Sequence, residues 1–253
     1  LSIVREKIVK EGYDLVLDIH KKFRSILLTK FSGLNVRRYK KDTFKKFLLV
    51  KFKINLFKTV IPVYLKYIKS AGKNFSEKYF TFSASELTFP KEKNHNFNYV
   101  VAAPSSRHFT KTFPKEKFAG VLNSLKVKAI LIGDNSARDL EICTHIEKET
   151  GAVNLCGKLS FQELANLLHH SELVLTNDSA IMHFAEALGK KVCVFFGSTV
   201  KEFGFFPQLS TSKVYENKDL KCRPCTHIGL SSCPKGHFKC MNELKIENIE
   251  WQN

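Results

Sequence analysis

Short apolar runs alternate with amphipathic segments from about residue 98 onward. Each apolar run is typical of a buried strand, and each amphipathic segment has the single apolar face of a helix. The predicted strands are Tyr99–Ala103, Lys128–Gly133, Ala152–Leu155, Glu172–Thr176 and Lys191–Phe196. Helices are predicted from Pro114, over Ser136–Thr150, over Ser160–His169 and over Ser179–Leu188. This alternation predicts an α/β fold with a parallel, doubly wound sheet.

Polar residues follow three of these predicted strands. They are Ser105-Ser106-Arg107 after the first strand, Gly133-Asp134 after the second, and Asn177-Asp178-Ser179 after the fourth. Ligands of doubly wound sheets bind beyond the carboxyl ends of the strands. The sequence therefore predicts a ligand site at this edge.

The first part of the chain predicts less sheet. The segment Tyr13–Ile19 has the pattern of a strand and follows an amphipathic helix. A second helix is predicted after Ser25, and Gly33 is expected to close it. One strand between helices is too little for an independent sheet, so we expect the segment that pairs with it to be absent from this chain.

The composition is that of an ordinary globular protein, with 43% hydrophobic and 26% charged residues among 253. It excludes a disordered, fibrous or disulfide-dense protein. No apolar run approaches the roughly 20 residues that span a bilayer, and we expect a cytoplasmic location. The chain starts with Leu1, directly before a helical pattern, so we expect the natural protein to begin upstream.

Basic residues are concentrated in the first part of the chain. Residues 1–98 carry 22 basic and eight acidic side chains, whereas residues 99–253 carry 19 and 16. Within Arg37–Lys69, eleven basic residues stand against Asp42 alone and are interleaved with apolar ones. Three interpretations stay open: a solvated basic face, a surface for an anionic membrane, or a nucleic-acid surface. No nucleic-acid-binding motif accompanies the charge, so the membrane is favoured over nucleic acid.

Several segments carry a resemblance to one protein family. The most specific is TNDSAIMHFAEALG at Thr176–Gly189, followed by FFGST at Phe195–Thr199. The others are SSRHFTKTFP at Ser105–Pro114, YDLVLDIHKKFRS at Tyr13–Ser25, NLCGKLS at Asn154–Ser160, and the cysteine-containing segment Cys222–Met241. Together they resemble glycosyltransferase family 9, the ADP-heptose:lipopolysaccharide heptosyltransferases, weakly over residues 36–97 and strongly over residues 99–241.

The resemblance implies a GT-B-like α/β fold, in which two Rossmann-like domains face a cleft. Residues 1–97 would be a partial, basic, acceptor-side N-terminal domain, and residues 98–253 a C-terminal domain that binds the nucleotide-sugar donor. Family members carry a general-base aspartate ahead of the segment that begins here at Tyr13. Nothing in this sequence matches it, so we expect a truncated N-terminal domain and a general base upstream of Leu1.

The resemblance also implies an activity, the inverting transfer of heptose from ADP-heptose to the phosphorylated inner core of lipopolysaccharide. No cofactor and no catalytic metal is expected. The expected partners are the ADP-heptose donor and a lipid A-core acceptor at the anionic inner membrane face, where the protein would be a peripheral monomer that binds no nucleic acid. The alternative is a non-catalytic or truncated member that binds nucleotide sugar but lacks the general base.

Donor-binding roles follow from the resemblance for nine residues, and acceptor-side roles for three. The donor-side residues are Ser106, Lys111, Asp134, Glu163, Asp178, Ser179, Ala180, Ile181 and His183, and the acceptor-side residues are Asp18, His20 and Arg24. Cations and helix N-terminal amides suit the charge of a diphosphate leaving group. Simpler roles stay open: a helix N-cap for Asp178, a core position for His183, a solvated surface for Lys111, and a turn or cap for Asp134 and Glu163.

The sequence departs from the family pattern at four positions. Ser105 and Ala180 replace glycines that lie near phosphate, where a Cβ can crowd the ligand. Lys191 and Ser198 replace prolines.

The seven cysteines are expected to be thiols rather than a disulfide framework. Three of them lie in predicted helices and strands and suit the core. The other four have a spacing that permits a structural zinc site, with His237 able to replace one ligand; they are Cys222, Cys225, Cys233 and Cys240.

Overall fold

Helices surround a two-stranded parallel sheet in the first 72 residues of the computed structural model, which describes residues 1–72, 95–247 and 249. The elements are α1 (Ser2–Lys10), β1 (Val16–Asp18), α2 (Phe23–Thr29), β2 (Val36–Arg38), α3 (Thr43–Phe52) and α4 (Val63–Ala71). Strand β1 pairs with β2, with Val16 beside Val36.

Two sequence predictions are wrong in this part of the chain. The partner of the first strand was expected to be absent, but it is β2, which has two arginines among its three residues and so lacks the apolar pattern of a strand. Helix α2 was expected to continue to Gly33, but it ends at Thr29, because Lys30 has an extended backbone.

A six-stranded parallel sheet forms the centre of the C-terminal part. Its strands are β3 (Tyr99–Ala103), β4 (Lys128–Leu131), β5 (Val153–Asn154), β6 (Leu173–Asn177), β7 (Val192–Phe196) and β8 (Lys213–Glu216). The helices are α5 (Lys115–Leu125), α6 (Ala137–Thr150), α7 (Phe161–His169), α8 (Ala180–Ala187) and α9 (Lys239–Asn242). The predicted alternation of strand and helix is confirmed. The predicted domain boundary, between residues 97 and 98, stays a prediction; along the chain it falls between the two sheets.

Burial on both faces explains why the central strands are continuous apolar runs. Every residue of β3, β6 and β7 is buried. One side of the sheet packs on α5 and α6, where the rings of Phe113 and Phe195 stack with centroids 4.6 Å apart. The other side packs on α7 and α8 through Leu167, Met182 and Ala185.

The strand order β5-β4-β3-β6-β7-β8 reverses direction between β3 and β6. This point is the topological switch of a doubly wound sheet, where the loops after two neighbouring strands diverge and leave a crevice. The loop that follows β3 and the N-terminus of α8 border it. The ligand site predicted at the carboxyl ends of the strands therefore corresponds to this crevice.

One contact between the two parts of the chain joins the segment after α3 to the loop after β7. The Val63 amide donates to the Gly204 carbonyl at 2.9 Å. A Cβ at Gly204, whose φ is +90°, would lie 2.8 Å from the carbonyl oxygen of Ile61, so this contact requires glycine. Of the helices in the described ranges, none has both the length and the apolar character needed to cross a membrane.

Candidate functional site

The loop after β3 is fixed to the end of β6 by one buried side chain. The Asn177 amide donates to the carbonyl of Pro104 at 2.8 Å, and its oxygen accepts from the Phe113 amide at 3.0 Å. Asn177 is the last residue of β6, so it joins the two strands on either side of the switch point. The segment from Ser105 to Thr112 is thereby held over the crevice.

An ion pair spans this crevice. Lys111 Nζ lies 2.8 Å from Asp178 Oδ2, and both side chains are largely buried, at 15% and 6% exposed. The same carboxylate oxygen accepts from the Thr199 hydroxyl at 2.5 Å. Lys111 is therefore a positioned cation rather than a solvated surface lysine, and Asp178 lies one residue before the helix cap, Ser179.

The N-terminus of α8 opens on the same crevice. The hydroxyl of the cap residue Ser179 contacts the Thr176 hydroxyl at 3.0 Å and makes no side-chain cap to the helix. The first amides of a helix have no intrahelical acceptor, so those near Ala180 and Ile181 are oriented to meet an anion. Ala180 is exposed and helical, so alanine takes the family's glycine position without backbone strain.

The predicted residue Ser106 lies at the base of the loop and is buried. Its neighbour Ser105 donates a hydrogen bond to Asp139 Oδ1. The other oxygen of Asp139 accepts from the Asp134 amide at 3.0 Å, so the loops after β3 and β4 are tied together. Close by, Arg138 donates to the Thr112 hydroxyl at 2.8 Å, which adds a cation that the sequence analysis did not identify.

Asp134 and Glu163 are both exposed and serve local structure. Asp134 accepts from the Ser136 amide at 2.8 Å, and Glu163 accepts from the Ser160 amide at 2.7 Å in the predicted capping box. These hydrogen bonds lower the pKa of each carboxyl. Their turn and cap roles are therefore observed, and their ionised oxygens remain open to solvent.

His183 lies one turn into α8 and is exposed, so it is not a core residue. Its ring meets the edge of Phe205 at a centroid distance of 6.0 Å. Loss of hydration beside the crowded crevice lowers the pKa of His183, and Lys111 adds to this, while Asp178 and Glu186 oppose it. The imidazole is therefore biased toward its neutral form.

The three residues predicted to lie on the acceptor side follow or end β1. Asp18 is buried, and its carboxylate accepts from the amides of Lys21 and His20 at 2.6 and 3.2 Å, and from Ser25 Oγ and Arg38 Nε, both at 3.0 Å. Asp18 thus organises its own loop. His20 and Arg24 are exposed and remain candidates for contact with another molecule.

A buried arginine that the sequence analysis did not select supports the Asp178 pair. Arg223 donates to the carbonyls of Gly197, Asn217 and Thr199 at 2.5, 2.5 and 2.9 Å, and to Glu216 at 2.9 Å. It therefore fixes the loop from which Thr199 reaches Asp178. Thr199 belongs to the FFGST segment and Arg223 to the cysteine segment, which the sequence analysis treated as separate motifs. The fold brings these two residues into contact.

The cysteines near Arg223 are free thiols. Burial raises the pKa of Cys240 to about 11 and also raises that of Cys225. Within the residues that the structure describes, no group of three or more His, Cys, Asp or Glu side chains is arranged to hold a metal ion. The predicted zinc ligands do not form such a group in the described structure; they are Cys222, Cys225, Cys233 and Cys240.

Comparison with known proteins decides the family. The model of glycosyltransferase family 9 (heptosyltransferase) matches residues 3–234. The chain belongs to this family.

Two curated relatives in glycosyltransferase family 9 cover parts of the chain. Lipooligosaccharide heptosyltransferase 2 of Campylobacter jejuni is 31% identical over 133 residues, which are 51% of this chain and 41% of that protein. Lipopolysaccharide heptosyltransferase 3 of Escherichia coli K12 is 34% identical over 108 residues, which are 40% of this chain and 31% of that protein. The chain thus matches less than half the length of these relatives.

Solved heptosyltransferases share the fold. The E. coli ADP-heptose lps heptosyltransferase II aligns with a TM-score of 0.61 at 16% identity, over 95% of this chain and 79% of that one. The E. coli heptosyltransferase WaaC with ADP-2-deoxy-2-fluoro heptose aligns with a TM-score of 0.56 at 16% identity, over 84% and 70%. The GT-B-like α/β fold expected for this family 9 chain is therefore confirmed.

Proposed function

We propose that this family 9 chain binds ADP-heptose at the β3–β6 switch point and takes part in inverting transfer of heptose to the phosphorylated inner core of lipopolysaccharide. The observation that carries the proposal is the buried ion pair of Lys111 and Asp178, which faces the amides of α8. Support comes from the names of the relatives, all heptosyltransferases of lipooligosaccharide or lipopolysaccharide. Residues 98–253 would then be the donor-binding domain and residues 1–97 the acceptor side.

The geometry suits departure of a nucleoside diphosphate. Cleavage of the sugar–phosphate bond leaves additional negative charge on the terminal phosphate, and fixed donors lower its energy because they need no reorganisation. Lys111 would supply the cation, and the amides of Ser179, Ala180 and Ile181 would supply aligned dipoles. Ser106, at the base of the loop, would donate a hydroxyl hydrogen bond.

The sugar would meet Asp178. Within the part of the chain that the structure describes, both contacts of this carboxylate fall on Oδ2, so Oδ1 would accept from a hydroxyl of the heptose. His183, one turn further along α8, would face the diphosphate. Asp134 and Glu163, whose exposed carboxylates lie after β4 and at the start of α7, would meet the ribose or the adenine.

The acceptor would approach from the N-terminal part, where His20, Arg24 and the loop held by Asp18 lie. Phosphates on a lipid A-core acceptor would be attracted by the basic excess of this part. We place the protein at the inner membrane face as a peripheral monomer. The attacking hydroxyl needs a general base, and none of the residues assigned above takes that role.

Calorimetric titration with ADP-heptose, with a UDP-sugar for comparison, tests the donor site. We expect saturable binding of the ADP compound, and Lys111→Ala should weaken it by roughly thirtyfold, since a charged hydrogen bond contributes about 2 kcal/mol. Lys148→Ala is the matched control, because Lys148 is exposed at the end of α6, on the opposite edge of the sheet. Absence of binding to every nucleotide sugar would refute the proposal, and binding without transfer would favour the non-catalytic alternative.

A further inference from the structure

Helix α3 exposes aromatic side chains on the face that points away from the rest of the protein. Its inner face is formed by Leu49, which is buried, and by Lys46, whose ammonium lies 5.9 Å from the ring centre of Phe203. At 100° per residue, Phe44 and Phe47 fall nearly opposite these positions. The outer face therefore carries exposed aromatic side chains where polar residues are usual.

The exposed apolar surface extends beyond the helix. Phe44, Phe47 and Phe52 are 68%, 55% and 58% exposed, and Ile54 and Leu56 in the following segment are 49% and 42% exposed. The rings of Phe47 and Phe52 meet edge to face at 5.9 Å, so these two side chains are in contact. We call these five residues the α3 patch.

Lysines border the α3 patch. Lys51 lies on the same helix face as Phe44 and Phe47, Lys58 follows the patch, and both are exposed. The only acidic residue between Arg37 and Lys69 is Asp42, and it is paired with Lys66 at 2.8 Å. One carboxylate from the C-terminal part, that of Glu202, also reaches this segment and accepts from Asn55 Nδ2 at 3.3 Å. The two exposed lysines outweigh this carboxylate, so the surroundings of the patch are positively charged as well as apolar.

We propose that the α3 patch docks the protein on a bilayer that contains anionic lipid, with its phenylalanines in the acyl-chain boundary and its lysines among the headgroups. Aromatic rings beside lysines are the combination that binds such an interface, because apolar burial and charge attraction act at the same depth. The lysine stems can lie along the apolar layer while their ammonium groups remain in water.

Charge favours a bilayer over a second copy of this chain. A symmetric dimer through the α3 patch would bring the same lysines together, where Glu202 of each copy, which already accepts from Asn55, stands against two lysines, and Asp42 is paired with Lys66. An anionic leaflet instead offers phosphates to every lysine at once. The inference extends the proposed function, because a lipid-linked acceptor lies at a bilayer, but docking requires no bound donor.

Vesicle sedimentation tests the docking surface. We expect the chain to partition onto phosphatidylcholine vesicles that contain phosphatidylglycerol, and not onto phosphatidylcholine alone. The variant Phe44→Ser/Phe47→Ser/Phe52→Ser should lose more than about tenfold of this partition, because three apolar side chains leave the interface. Lys51→Gln/Lys58→Gln should weaken it severalfold and reduce its dependence on salt.

Two other exposed phenylalanines in the same part of the chain provide the matched control. Phe23 and Phe31 are 75% and 91% exposed but lie outside the α3 patch. Phe23→Ser/Phe31→Ser should leave vesicle binding unchanged. An equal loss in this control, or retained binding in the triple variant, would overturn the proposal, and a concentration-dependent dimer that the triple variant abolishes would assign the patch to self-association.

Depth-dependent quenching separates insertion from surface attraction. With the single natural tryptophan removed by Trp251→Phe, a probe introduced by Phe47→Trp should be quenched by lipids brominated on their acyl chains, and one introduced by Phe23→Trp should not. ADP titration of the triple variant keeps the two hypotheses distinct. Unchanged ADP binding with lost vesicle binding supports both, whereas failure of wild-type protein to bind ADP refutes only the donor site.

Discussion

Lys111 Nζ and Asp178 Oδ2 are 2.8 Å apart across the crevice between β3 and β6. The pair joins the loop after one strand to the residue before the helix that follows the other. The carboxylate therefore orients the lysine through Oδ2, and under the proposed function its Oδ1 would accept from a hydroxyl of the heptose.

Asp178→Asn should separate these two roles. The amide keeps one oxygen for Lys111 and Thr199, so ADP should bind within a few-fold of wild type, but it replaces Oδ1 with an NH2 group that cannot accept from the heptose. The added affinity that the heptose contributes should fall by about tenfold, the value of one good hydrogen bond. Titrations with ADP and ADP-heptose measure the difference, and Asp219→Asn, at an exposed turn, serves as the control. Equal losses for both ligands would show that Asp178 does not contact the sugar.

Arg223→Lys should loosen the donor site from a distance. Lysine keeps the charge but cannot reach the four acceptors of the guanidinium. We expect a loss of about 3 kcal/mol in the free energy of unfolding, from denaturant titration, and ADP-heptose affinity about tenfold weaker at temperatures where the variant is folded. Thr199→Val should lower that affinity in the same direction, and Arg24→Lys should leave it unchanged. A stability loss without an affinity loss would restrict Arg223 to folding.

His183 should make donor binding depend on pH. Loss of hydration holds the pKa of His183 in the free protein below its ordinary value of 6.5, and a bound diphosphate would raise it. Binding should therefore take up a proton, and wild-type affinity relative to His183→Gln should rise as pH falls from about 8 to 6. Calorimetry in buffers of different ionisation enthalpy counts the proton, and comparison with the variant removes the titration of ADP itself. Identical pH profiles would exclude His183 from the phosphate site.

Asp18 should stabilise the N-terminal sheet in a pH-dependent way. Burial would raise its pKa, but hydrogen bonds from Lys21, Ser25 and Arg38 prevail and hold it below its ordinary value of 3.8. A lowered pKa gives stability that is complete above the unfolded value and is lost as pH falls through the folded one. Asp18→Asn should cost about 3 kcal/mol near pH 7, and the difference should shrink below about pH 3.8. Asp14→Asn, at an exposed position, should cost little at any pH.

Much of the C-terminal fold could be predicted from the sequence, because its strands are buried on both faces and stand out as apolar runs. The strand β2 could not, since Val36-Arg37-Arg38 places two charges in three residues. The end of α2 was also misplaced, because a glycine is a common helix terminator but Lys30 already has an extended backbone.

The sequence predicted which segments form the candidate site, but not which residues contact each other in it. Motifs selected Lys111 and Asp178, yet their pairing depends on β3 lying beside β6, which no local pattern specifies. Arg223 was overlooked because the pattern of its segment is one of cysteines. A buried arginine is identified by its hydrogen-bond acceptors, and two of these, Gly197 and Thr199, are distant in sequence.

The side chain of Lys53 links the two parts of the chain through hydrogen bonds to backbone carbonyls. Its ammonium donates to the carbonyls of Val50, Cys222 and Pro224 at 2.8, 3.0 and 2.6 Å, which uses all three of its protons. A carbonyl oxygen is the same whichever side chain its residue carries. The side chains of Cys222 and Pro224 can therefore change in evolution without loss of these hydrogen bonds, whereas Lys53 cannot be replaced without losing them.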